Sequence, residues 1–115
     1  MEKFYWEFLN KSKNMYWRGI SNKDRNVAIY EIEKVANRYG YITDFHMFSD
    51  LEISIKIETV EQKLTALYAD LKNYLTLNEI LLNNSDSNNE VPVFLSITFI
   101  KGTGDLKIEV PAVPG

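Results

Sequence analysis

The chain has 115 residues, 45% of them apolar and 25% charged, a composition that suits one globular domain with a core large enough to need no metal or disulfide. It contains no cysteine, which excludes disulfides, thiolate metal sites and cysteine nucleophiles and fits a cytoplasmic setting. A net charge of −3 gives no field suited to a polyanion, and no apolar run approaches the roughly 18 residues of a spanning helix, so neither nucleic acid nor a membrane is expected as a partner.

Residues 1–10 lack the basic start and long apolar run of a secretory signal, because Glu2 and Glu7 interrupt them. Charge is uneven: residues 1–25 carry six bases against three acids, and the rest of the chain is acidic. Lys- and Asn-rich usage fits an AT-rich, bacterial genome. The aromatic run of residues 4–9 and the apolar residues 15–20 flank a polar turn and read as a hairpin, although Phe4 and Phe8 also suit one helical turn. Ser21 is expected to cap a helix, with Asp24 in its first turn. Ala28, Ile32, Val35, Ala36 and Tyr39 recur at helical spacing, and Gly40 stands where a left-handed terminating residue belongs.

Residues 41–48 form the next expected strand, and a Ser49-Asp50 turn follows. Leu51, Ile53, Ile55 and Ile57 alternate with Glu52, Ser54, Lys56 and Glu58, the rhythm of a strand with one buried and one wet face. Thr59 and Gln62 suggest a capping box for a second helix striped by Val60, Leu64, Leu67, Leu71 and Leu75, with Tyr68 alongside. Residues 76–82 suit helix or strand equally, and residues 83–90, with no apolar side chain, read as a mobile loop. Alternation resumes with Val93, Leu95, Ile97 and Phe99; a Lys101-Gly102-Thr103-Gly104 turn and a strand to Val110 complete a hairpin before the tail at 111–115.

The chain is therefore expected to be a single α+β domain over residues 1–115. Its fold class is a two-layer sandwich: an antiparallel sheet of about four to five strands, or six, with two helices of matching length on one face. The β-α-β-β-α-β order is ferredoxin-like, with an added C-terminal hairpin strand. The second face should carry Glu52, Ser54, Lys56, Phe94, Ser96, Thr98, Ile100, Lys107 and Glu109. An uncovered patch with Trp6, Trp17, Phe94 and Ile100 would exceed what monomers expose, so a homo-oligomer, most simply a dimer, or a protein partner is expected.

Candidate chemistry is sparse. His46 is the sole histidine and shares a strand face with Asp44, with Asp50 close in sequence, so a carboxylate-held general base is the catalytic candidate, set against an ordinary surface histidine. Binding candidates are Trp17, Arg18, Trp6 and Phe94, aromatic and basic side chains that suit stacking but also core or interface packing. Residues 83–90 lack the spaced acids and glycine of a calcium loop, and Gly102-Thr103-Gly104 joins two strands, so no metal or cofactor is expected.

A helix leading into two strands over residues 42–58 and then another helix resembles, across about sixty residues, the pattern of the pterin carbinolamine dehydratase family. That family's paired histidines before a proline would fall at Tyr41-Ile42-Thr43, which has none, so the resemblance implies no dehydratase activity. The leading expectation is a non-catalytic module acting by self-association or on a protein partner. The alternative is a small-molecule site, enzymatic or not, in a cleft beside the sheet or at a dimer interface.

Overall fold

The computed structural model describes residues 14–100. Its elements are β1 (Met15–Ser21), α1 (Arg25–Tyr39), β2 (Gly40–Ser49), β3 (Glu52–Val60), a 3₁₀ turn (Glu61–Lys63), α2 (Leu64–Leu71), β4 (Thr76–Leu77) and β5 (Glu90–Phe99). The aromatic run at 4–9, the C-terminal hairpin and the tail lie outside the described residues.

The strand rhythm sorts the side chains as expected. Ile53, Ile55 and Ile57 of β3 and Val91, Val93, Leu95, Ile97 and Phe99 of β5 are buried with Ala28, Ile32, Val35 and Ala36 of α1 and Leu64, Leu67 and Leu71 of α2. An α+β sandwich with a five-stranded sheet and two helices results.

The strand order differs from the expectation. It runs β2-β3-β5-β1-β4, and β1 pairs with β5 in parallel, so the sheet is mixed. A ferredoxin-like order would place the last long strand outside β1; here it lies between β1 and β3. Composition accounts for this. Strand β5 is buried along one face and half-buried at Pro92, Phe94 and Ser96 on the other, so it gains most from the centre. Pro92 is tolerated there because pairing with β1 begins one residue later, at Met15–Val93, so no β1 carbonyl lacks a donor. Strand β2 is exposed from Thr43 to its end and takes the edge.

Several local signals resolve differently from their sequence reading. Asp24, not Ser21, caps α1, its carboxylate accepting the Asn26 amide at 3.0 Å. Ser21 is buried at the end of β1, where its hydroxyl accepts the Lys23 amide instead. Gly40 has φ −179° and is extended, not left-handed: helix passes straight into strand. Thr59 does not cap α2. It belongs to β3, and its hydroxyl donates to the Tyr39 carbonyl at 2.6 Å, tying the end of α1 to the sheet. The first-turn amides of Glu61 and Gln62 are satisfied by the carbonyls of Asn89 and Ser87 in the polar loop.

The helices are also unequal, with 15 residues in α1 and 8 in α2, which leaves Val60 in a strand and Leu75 in a buried turn. Residues 76–82 yield only the two residues of β4, pinned to β1 by Asn78. Its amide donates to the Arg18 carbonyl at 3.0 Å, and its side-chain oxygen accepts the Arg18 amide at 2.8 Å. Among the described residues, no helix is long and apolar enough to cross a membrane.

Candidate functional site

Both helices lie on one side of the sheet, and no described element covers the other, its open side. Register decides which side chains meet there. Tyr16 and Phe94 are direct partners across the parallel β1–β5 pair, and their rings stack at 5.1 Å with an interplanar angle of 15°. Lys56 is the partner of Phe94 across β3–β5, and its ammonium stands 5.6 Å from that ring centre and 3.4 Å from the Glu58 carboxylate. Further along the face, Ser96 donates to Glu52 at 3.3 Å. The Arg18 side chain opposes Ser96 in register and has no ion-pair partner among the described residues. Arg18, Ile20, Glu52, Ser96 and Thr98 line a shallow depression of about 400 Å³.

Strand β2 is the long edge of the sheet, and no described strand pairs with its outer side. Asp44 and His46 point to the open side, opposite Lys56 and Ser54, while Phe45 and Met47 oppose Ile55 and Ile53 and point to the helix side. That side of β2 is incompletely roofed, leaving Phe45 38% and Met47 49% exposed; Phe48 beyond them is 67% exposed. Two register breaks, between Ile42 and Asp44 and between Met47 and Ser49, bracket the regular part of the edge.

The structure joins the catalytic candidates His46 and Asp44: Nε2 of the imidazole lies 3.0 Å from the carboxylate. Their side chains are 64% and 52% exposed, and neither lines one of the described depressions. Ser54 is the cross-strand neighbour of His46, yet no hydrogen bond joins them. Among the described residues nothing is placed to hold a substrate against this exposed imidazole, as general-base work requires. Asp50 pairs instead with Arg25 at 3.2 Å.

Of the binding candidates, Arg18 and Phe94 are on the open side. Trp17 is not: at 1% exposure it is a core residue, packed edge-on against Tyr68 at 5.4 Å, with its indole N–H unpartnered among the described residues. Trp6 lies outside the described residues. No group of three or more acidic or histidine side chains is gathered as metal ligands among them.

One polar cluster was not anticipated. Asp70 on α2 accepts from Arg38 Nη1 at 2.7 Å, from the Tyr39 hydroxyl at 3.0 Å and from Asn73 at 3.4 Å, locking the two helices together. Desolvation pushes the Asp70 carboxyl up, but the bonds from Arg38 and Tyr39, with the Arg38 charge and Asn73, outweigh it and hold the group below its ordinary value. The bond to Asp70, aided by burial, pushes the Tyr39 hydroxyl up, although the Arg38 charge opposes it. This is a structural clamp between helices, since Asp70 is 14% exposed and fully engaged.

The apolar residues of the free edge, Tyr41, Phe45, Met47 and Phe48, were also missed as a surface. Their signal is legible in retrospect: large apolar residues occupy both parities of residues 41–48, which one buried face cannot accommodate. No family model, curated protein or solved structure matches this chain.

Proposed function

We propose that this domain is a non-catalytic interaction module, cytoplasmic, that works by self-association through the uncovered side and free edge of its sheet. The observation that carries this reading is the exposed apolar and aromatic surface on the open side of β1 and along the β2 edge. Tyr16 is 68% exposed and Tyr41 58%, and Ile20, Phe45, Met47, Phe48 and Ile100 are also accessible. Monomeric proteins seldom leave such surface on an unguarded sheet. Lys56, Glu58, Glu52 and Arg18 intersperse charge across the open side, the polar setting in which apolar anchors of an interface usually sit.

The test is the solution mass of the full chain by size-exclusion chromatography with light scattering, across a hundred-fold range of concentration. A mass that rises from 13.4 kDa toward a discrete multiple supports the reading. A mass fixed at the monomer value throughout overturns it.

A further inference from the structure

We propose that two copies of this chain join through β2, antiparallel and edge to edge, about a two-fold axis at Phe45. The proposal rests on the interaction-module reading and names its partner as a second copy and its register as one.

The available edge is short. The two register breaks leave two regular stretches, residues 40–42 and 44–47, and a partner strand centred on Phe45 uses the longer of them. The Phe45 amide donates to Asp44 Oδ1 at 3.0 Å, a side-chain acceptor of the kind an edge amide takes when no strand lies beyond it. With the axis at Phe45, that amide exchanges its side-chain acceptor for the carbonyl of the partner's Phe45, and the partner's amide does the same in return.

Hydrogen-bonding complementarity then selects among registers. In this pairing Asp44 stands opposite the partner's His46, and His46 opposite the partner's Asp44, in the closely spaced type of cross-strand pair. Moving the axis by one residue puts Asp44 opposite the partner's Asp44, or His46 opposite the partner's His46. Only the Phe45 axis makes both contacts complementary. The two side chains share the open side of the strand and meet at 3.0 Å within one chain, and the pairing exchanges this one bond for the two across the axis. Each Phe45 would cover its mate on the helix side, removing apolar surface that α1 leaves bare. Because the axis is normal to the sheet, the two open sides would merge into one continuous surface. A foreign strand would bring no such reciprocal carboxylate–imidazole match.

The cysteine-free chain allows a direct test by single-cysteine oxidation. Phe45→Cys brings two thiols to a Cα separation of about 5.5 Å, within disulfide reach. Tyr41→Cys leaves its two thiols eight positions apart along the paired strands, about 26 Å. Under mild oxidation Phe45→Cys is expected to convert largely to covalent dimer, at least ten-fold faster than Tyr41→Cys. As a second measure, Asp44→Arg should weaken the dimer about ten-fold, whereas the exchange Asp44→His with His46→Asp should leave it within about two-fold of the unaltered chain. A dimeric mass with no preference for Phe45→Cys, or with Asp44→Arg neutral, overturns this register while leaving the module reading intact. A monomeric mass at every concentration overturns both.

Discussion

Gly40 and Glu58 approach so closely that a Cβ on Gly40 would stand 1.9 Å from the Glu58 carbonyl oxygen. The neighbour is backbone in the β2–β3 ladder, so no side-chain rotation relieves the clash. Gly40→Ala is therefore expected to destabilise the fold by roughly 3 kcal/mol, read as a lower urea midpoint at unchanged slope. An unaltered midpoint would show that the junction between α1 and β2 can open at little cost.

Neighbouring residues of β3 should respond in opposite ways. Ile55 is fully buried, and Ile55→Ala is expected to cost about 3 kcal/mol through lost burial and an unfilled cavity. Lys56, one residue on, faces the open side, and Lys56→Ala should stay within about 0.5 kcal/mol. Equal costs at the two sites would contradict the orientation of the whole strand.

The Asp70 clamp makes a pH-dependent contribution whose sign follows from its lowered carboxyl. That contribution is complete above the ordinary carboxylate range and is lost as acid carries the pH down through the lowered value. Asp70→Asn should thus lower the melting temperature at neutral pH, and the gap to wild type should close in strong acid. The raised Tyr39 hydroxyl acts on the alkaline limb: its contribution holds below the ordinary tyrosine range and is lost as pH rises through the raised value. A gap independent of pH between neutral and acid would remove Asp70 from this role.

Tyr16 and Phe94 should be energetically coupled. A double-mutant cycle with Tyr16→Ala and Phe94→Ala is expected to give about 0.5–1.5 kcal/mol of interaction, from the stacked rings. Additive effects would mean that the stack seen between adjacent strands is incidental to stability.

Much of this fold is legible in the sequence, for a physical reason: alternation along β3 and β5 and the helical stripe of α1 are local patterns that one buried face imposes. Strand order is different in kind. Whether β5 lies outside β1 or beside β3 depends on how much apolar surface each strand buries on both sides, a sum over contacts distant in sequence. Trp17 shows the same limit at one residue. In Met-Tyr-Trp-Arg-Gly-Ile-Ser both parities carry large apolar side chains, so alternation alone does not choose between burying Tyr16 and burying Trp17. Of the candidate site, the Asp44–His46 pair follows from a spacing of two on a strand, whereas the Asp70 clamp joins elements whose separation no local pattern encodes.

The parallel pairing of β1 with β5 joins the first and last strands of the described chain, and it is the only long contact β1 makes within the sheet. Strand β5 is thus a keystone. Before it docks, the hairpin of β2 and β3 has no connection through the sheet to β1, and the costly loop closures fall at the end of folding. Chains truncated before Glu90 should consequently show no cooperative melting, and folding of the intact domain should be slow for its size.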